Sequence, residues 1–311
     1  MLIIAHRGAC GERPEHTRAA YELAIDQGAD VIEPDLVMSR DGALIVRHDV
    51  EIGQTTDVAD RAAFRERRTT RPVDGLPLTG WFAEDFTLAE LQTLRARERM
   101  PLLRPANTAW DGREPILTFE EVIEIARRGS ARTGRTVAVA PELKHPTHLR
   151  AAGLDLEATF VAALERHGLT GADAPVIVQC FEPGTLQRLR ARVATPLLQL
   201  IAAVGAPADR TGEPFAALTT PKGLARVATY ADWIGVDLAL IEPEPDLPSS
   251  LIADAHAAGL KVAGWTFRAE NLVLPELDRL GDDPLAHGRH PERLARFATY
   301  GLDAAFTDQI P

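Results

Sequence analysis

Short apolar runs alternate along this chain with stretches whose apolar positions recur at helical spacing. Residues 2–5 (LIIA) form an unbroken apolar run, as expected of a buried strand. Residues 17–27 place Ala20, Leu23, Ala24 and Gln27 on one helical side, with Gly28 as the stop. A second strand is predicted over 29–36. Asp41-Gly42 between apolar flanks signals a hairpin, and 44–47 runs back to His48. The alternation resumes with a helix from Thr118 to Arg128. Strands follow at 136–140, 175–179, 196–201, 233–236, 261–264 and 303–307, and helices at 154–167, 183–192, 222–230, 249–258 and 289–300. Apart from the hairpin return this gives eight strands with helices between most of them. Repeated strand–helix units over 311 residues predict an α/β fold, a (β/α)8 TIM barrel. No GxGxxG and no P-loop competes with that reading.

Residues 50–115 break the pattern. They are rich in charge, with RAAFRERRTTRP and RARERMPLLRP. Two short helices are predicted near 58–67 and 88–97, the second opened by a Thr87 cap with Glu90 three residues on. The stretch reads as an insertion after the second strand of a single domain spanning 1–311. It would cover one end of that domain and turn its Arg and Glu runs to solvent.

A barrel of this kind carries its active site at the C-terminal ends of its strands. The polar residues there are His6, Arg7, Glu33, Asp35, Glu142, Lys144, Gln179, Trp265 and Asp308, so they are expected to converge on one mouth. Glu33 and Asp35 share a strand face, their backbones roughly 6–7 Å apart. Taken alone, VIEPDLVMSRDGALIVRHD is equally an acid pair on a solvent face followed by a hairpin. In the company of the other strand ends, Glu33, Asp35 and Glu142 form an oxygen-rich set suited to a hard cation such as Ca²⁺ or Mg²⁺ rather than to zinc. His6 and His48 could serve as general acid and base across a phosphodiester. Arg7 and Lys144 suit phosphate oxygens, although Arg7 could equally pair with Glu33 or Glu15. Trp265 and Phe267 either wall the alcohol side of a substrate or plug the barrel top. Asp49 either orients His48 or orders the turn. The other histidines, His16 among them, read mostly as surface or helix residues.

The net charge of −11 argues against nucleic acid or an anionic membrane as partner, while an anionic small molecule stays compatible with a site that carries its own cations. Two cysteines, Cys10 and Cys180, are expected as reduced thiols. No apolar run approaches the ~20 residues of a membrane span. The first apolar residues lead straight into HRG without the pattern of an export signal, so a cytoplasmic enzyme is the simplest expectation.

HRG at 6–8, PEHT at 14–17, E-x-D at 33–35, HD at 48–49, ELK at 142–144, W-T at 265–266 and TD-x-x-P at 307–311 resemble the glycerophosphodiester phosphodiesterases. The stretch after the second strand is similar to the insertion of the longer bacterial branch. The resemblance implies a TIM barrel that hydrolyses glycerophosphodiesters to sn-glycerol 3-phosphate and an alcohol such as choline, ethanolamine or glycerol. It implies His6 and His48 as the acid/base pair, and Glu33, Asp35 and Glu142 as ligands of one Ca²⁺ or Mg²⁺. Arg7, Lys144 and Trp265 would contact substrate, with Glu15, Asp49 and Gln179 behind them. In the implied mechanism a glycerol hydroxyl attacks phosphorus and water then opens the cyclic phosphate.

Two residues depart from the family pattern. His16 stands where Asn is usual, and Pro34 where a hydrophobic residue is usual. Pro34 lacks an N–H, so its strand is either locally irregular or faces that position away from a partner. Neither departure is expected to touch the proposed ligands or histidines. Two other readings are a related barrel phosphodiesterase acting on lysophospholipid or sphingolipid headgroups, and a catalytically silent barrel that grips a phosphate compound. The first would want an apolar or basic rim, which the acidic charge disfavours. The second has no need of two titrating histidines.

Overall fold

Parallel strands close into a barrel in the order the sequence runs. The computed structural model describes residues 1–209 and 212–311. The strands are β1 (Leu2–His6), β2 (Val31–Glu33, continued by Asp35–Met38), β3 (Ala138–Val139, continued by Glu142–Leu143), β4 (Val178–Cys180), β5 (Leu197–Ile201), β6 (Trp233–Asp237), β7 (Lys261–Phe267) and β8 (Ala304–Thr307). Each pairs in parallel with the next, and β8 returns to β1 from Leu2↔Ala304 to Ala5↔Thr307. The structure is therefore the (β/α)8 barrel that the alternation predicts.

Prolines break two of the strands. Pro34 and Pro141 have no N–H to give a ladder, so β2 and β3 are each interrupted there. Their carbonyls still accept: Glu142 N–H donates to Pro34 O and Gln179 N–H to Pro141 O, both at 2.9 Å. The ladder resumes with Asp35 opposite Glu142 and Glu142 opposite Gln179. The irregularity anticipated at Pro34 is real, and it sits among the acids.

Successive strand residues face alternate sides. Ile4, Val31, Leu198, Trp233, Ala304 and Phe306 belong to a small inner cluster, while Ala5, Ile32, Leu197, Ile234 and Ala305 join the larger one between strands and helices. Helix Arg18–Asp26 is capped by the Thr17 hydroxyl, and Phe119–Thr133 by a Thr118/Glu121 capping box. Strand β7 runs three residues past its predicted end at Gly264. This turns Phe267 outward, edge-on to Phe297 with centroids 5.0 Å apart, so of the two aromatics only Trp265 faces the mouth.

The insertion departs further from expectation. Residues 58–67 form two 3₁₀ turns, Val58–Asp60 and Ala62–Arg67, separated by an extended Arg61. The helix opened by the Thr87/Glu90 capping box stops at Leu91. Its continuation is diverted: Arg95 N–H donates to Asp57 Oδ1 at 2.9 Å, Ala96 N–H to Glu114 O at 2.8 Å and Arg97 N–H to Thr55 O at 2.9 Å. Backbone donors spent sideways cannot propagate a helix. A hairpin of Thr69–Val73 and Leu76–Gly80 turns at Asp74-Gly75, both at positive φ, an Asp-Gly signal the sequence carries. Val58, Phe64, Phe82, Phe86 and Leu91 pack into the same large cluster as the barrel helices. Among the described residues no helix is long and apolar enough to cross a membrane.

The turn leaving β1 depends on a glycine. Arg7 and Gly8 both have positive φ, 60° and 84°. A Cβ on Gly8 would lie 2.7 Å from the Ala20 carbonyl carbon. Gly8→Ala is therefore expected to cost about 1–3 kcal/mol or more, from strain and clash together. A lowered urea midpoint at unchanged m would show it.

Candidate active site

Most of the expected strand ends converge on one cavity, while Asp35 and Asp308 are not among the residues that line it. His6, Arg7, Glu33, His48, Glu142, Lys144, Gln179 and Trp265 all line a cavity of about 140 Å³, together with Phe181 and Arg268. Beside it a wider chamber of about 480 Å³ shares His48, Glu142, Lys144 and Phe181 and extends to Asp74, Glu182 and Phe215. Cys10 and Cys180 are buried free thiols.

Three carboxylates form the floor. One oxygen from each of Glu33, Asp35 and Glu142 lies within 4.8 Å of the others, and all three side chains are buried. Glu33 accepts from Arg7 N–H at 2.8 Å and from Gln179 Nε2 at 3.2 Å. Lys144 Nζ lies 2.7 Å from Glu142 Oε1 and 3.3 Å from Asp35 Oδ1. Burial pushes Glu33 well above the usual carboxylate range, with the Asp35 and Glu142 charges adding to the rise. Burial pushes Glu142 up too, outweighing the Lys144 ammonium. Burial also opposes the charge on Asp35, but Lys144, His48, His16 and Arg7 together hold it well below that range. Like charges crowded in a dry site, all hard oxygen donors, are what a divalent cation such as Ca²⁺ or Mg²⁺ would relieve, and the donor set suits one.

The two histidines share one arrangement. His6 Nδ1 lies 2.7 Å from Asp308 Oδ1, and His48 Nδ1 lies 2.7 Å from Asp49 Oδ1. Each aspartate is an acceptor, so each imidazole carries its proton on Nδ1 and keeps Nε2 free. Burial pushes His6 down to about 4, and the Arg7 charge pushes the same way. Burial pushes His48 down to about 3, with Arg7 and Lys144 adding to it. Asp308 stays ionised against burial because Arg104, His6 and Arg268 surround it. Of the two roles open to Asp49, the bond to His48 is present.

Some expectations need correction. His16 is neither a surface nor a helix residue. It is fully buried at φ 58°, with Nε2 2.9 Å from Asp35 Oδ2 and Nδ1 2.8 Å from the Tyr21 hydroxyl. The departure at this position thus touches a proposed ligand directly. His290 is also buried, against Thr307. The Arg and Glu runs of the insertion are not all solvated faces. Arg99 is 21% exposed and Arg104 only 3%. Arg99 grips Glu15 through Nε and Nη2, both at 2.7 Å, and Arg104 Nη2 donates to Asp308 Oδ2 at 2.6 Å. Arg7 pairs with Glu15 at 2.9 Å and approaches Asp35 at 3.3 Å while still facing the cavity. Sequence reasoning gave no part to Arg268 or Phe181, and Asp308 only a position. Arg268 stands two residues after the W-T motif, and its Nε donates to Asp308 Oδ2 at 2.9 Å.

A model of the glycerophosphoryl diester phosphodiesterase family matches residues 6–311. The chain belongs to this family. It is 35% identical to a glycerophosphodiester phosphodiesterase of Arabidopsis thaliana over 98% of this chain and 82% of that protein. It is 30% identical to a glycerophosphodiester phosphodiesterase of Haemophilus influenzae over 88% of this chain and 80% of that protein. The family fold recurs in solved structures. A phosphodiesterase of Oleispira antarctica, in complex with the product sn-glycerol-3-phosphate, aligns with a TM-score of 0.63 at 22% identity, over 99% of this chain and 93% of that one. A glycerophosphodiester phosphodiesterase of Agrobacterium tumefaciens aligns with a TM-score of 0.62 at 21% identity, over 100% and 97%.

Both imidazoles have their pKa lowered, so they are neutral well below the pH where an ordinary histidine titrates. In an NMR titration, His6 and His48 are expected to show no protonation step above about pH 5, whereas an unperturbed imidazole titrates near 6.5. A step near that ordinary value would contradict the burial argument.

Proposed function

We propose that this protein hydrolyses glycerophosphodiesters to sn-glycerol 3-phosphate and an alcohol, with His6 and His48 as the acid/base pair. The observation that carries this reading is two aspartate-backed imidazoles facing one cavity beside three buried carboxylates and two cations. Family membership and the names of the two relatives point the same way. Glu33, Asp35 and Glu142 would hold one Ca²⁺ or Mg²⁺. When bound, such an ion supplies a Lewis acid for a phosphate oxygen and offsets charge building on phosphorus.

The protein's own groups do the rest. Arg7 and Lys144 face the cavity and are placed for the non-bridging phosphate oxygens, Arg in a fork and Lys as a point charge. The phosphodiester's negative charge favours the protonated form of a neighbouring imidazole, so one histidine enters the reaction as an acid while the other stays a base. The base takes the proton of the attacking glycerol hydroxyl at Nε2 and the acid gives its proton to the leaving alkoxide; with the two roles exchanged, a water then gives up its proton and opens the cyclic phosphate, whose ring oxygen is protonated as it leaves, yielding glycerol 3-phosphate. Trp265 packs edge-on to Phe181 with centroids 5.7 Å apart, an apolar wall for the carbon skeleton of the substrate.

An assay coupled to glycerol 3-phosphate, run across choline, ethanolamine and glycerol diesters, is expected to show turnover that exhaustive chelation abolishes and Ca²⁺ or Mg²⁺ restores. No turnover on any headgroup would overturn the enzymatic reading. His6→Ala and His48→Ala are each expected to lose at least ~10²-fold in kcat. Because Glu33 and Glu142 are pushed up, cation binding at neutral pH should release protons, and the release should shrink as pH rises. Calorimetry in buffers of different ionisation enthalpy measures this. An uptake of protons would count against the carboxylate site.

A further inference from the structure

Two arginines of the insertion reach the two histidines by the same route. Arg99 Nη1 lies 2.7 Å from Asp49 Oδ2, and the other oxygen of Asp49 holds His48 Nδ1 at 2.7 Å. Arg104 Nη2 donates to Asp308 Oδ2 at 2.6 Å, and the other oxygen of Asp308 holds His6 Nδ1 at 2.7 Å. In each chain one carboxylate oxygen faces an imidazole and the other a guanidinium. Neither arginine lines the main cavity. Both flank a smaller one of about 50 Å³ behind it.

The arginines are themselves fixed. Arg99 spends Nε and Nη2 on Glu15. Arg104 spends Nε on Glu270 at 2.6 Å and Nη1 on the Cys10 carbonyl at 3.0 Å. The run that carries them is tied down by Arg97 N–H to Thr55 O at 2.9 Å and by Glu98, which accepts from Met100 N–H at 2.7 Å and Asn107 Nδ2 at 2.9 Å. Asp49, one-third exposed, would otherwise be free to leave His48 for water. A planar fork whose N–H groups serve several acceptors at once suits this task, and a lysine point charge does not.

We propose that Arg99 and Arg104 are positioning residues for the acid/base pair: each locks the aspartate that keeps an imidazole proton on Nδ1 and Nε2 turned to the substrate. The inference rests on the reading of His6 and His48 given above. It makes the insertion part of the catalytic apparatus and not only a cover, although no residue of it would touch the reacting atoms through these arginines.

Steady-state kinetics on glycerophosphocholine test it. Arg99→Gln is expected to lower kcat by at least ~10-fold, part of what acid–base transfer contributes, with KM within about threefold of wild type. In an Asp49→Asn background the same change should cost nothing further, because Arg99 acts through Asp49. Guanidinium added to Arg99→Ala should recover part of the lost kcat. An effect exerted through Glu15 and Arg7 would instead raise KM and persist in the Asp49→Asn background, and that outcome overturns the proposal, as does an unchanged kcat. Arg104 is buried, so the milder Arg104→Lys, which keeps the charge, serves there. It is expected to lower kcat with KM held and to shift the Nδ1 proton resonance of His6, and a wild-type rate would remove Arg104 from the proposal. If His48→Ala retains activity, the acid/base reading itself falls. If His48→Ala is inactive while the Arg99 variants turn over normally, only the positioning role falls.

Discussion

Asp35 is the point at which the charges of this site are balanced. One of its oxygens is shared by His16 and Arg7, and the other faces Lys144. A carboxylate this deeply buried stays ionised only while those partners remain, because an uncompensated charge in a dry interior is severely destabilising. Its neighbours show the alternative. Glu33 and Glu142 lie in the same cluster with fewer compensating cations, and both are driven toward the protonated form. The site thus holds one secured negative charge beside two carboxyl groups whose ionisation is less well supported. The two strand breaks at Pro34 and Pro141 are local irregularities of the barrel, and they stand beside all three acids.

Much of this was readable from the chain. The alternation of apolar runs and helical periods is a direct consequence of strands buried on both faces and helices buried on one, so barrel order and strand ends could be located. The rule that barrel sites gather at those ends then assembled His6, Glu33, Asp35, Glu142 and Lys144 without any knowledge of their contacts. What stayed hidden has a common cause. Arg99 and Arg104 stand in a run of charges that looks like any solvated face, and their acceptors are 84 and 204 residues away in sequence. No local pattern records such a pairing. His16 was hidden differently: in a loop a single histidine has no periodicity to place it, and its left-handed backbone and the contact of its ring with Asp35 leave no mark in the local pattern. The shortened helix at Leu91 follows from the same limit, since the carbonyls and carboxylate that take its backbone donors lie elsewhere in the insertion.

The barrel and the insertion divide the work by rigidity. Strand ends fix backbones, which suffices for short side chains such as Glu33 and Asp35 held by a ladder on either side. Imidazole orientation needs more, because χ2 of histidine is broad and the ring can present either nitrogen. Asp308 follows β8 directly and meets His6 from the neighbouring strand, whereas Asp49 lies beyond the hairpin return, where exposure leaves it less constrained. Both nevertheless end in an arginine from the same ten-residue stretch.

The overall charge of −11 opposes an anionic substrate at long range. The opposition is largely screened, because solvent-exposed charges farther away than about 8–10 Å contribute little at physiological ionic strength. Under the proposed function, what a phosphodiester would meet is local: Arg7, Lys144 and Arg268 on the cavity wall, each already fixed by acids behind it. A cation held by buried carboxylates loses less conformational freedom when it takes up a phosphate oxygen than a free surface lysine would, so its attraction is delivered as orientation. The acids around these three cations are what keep them in place.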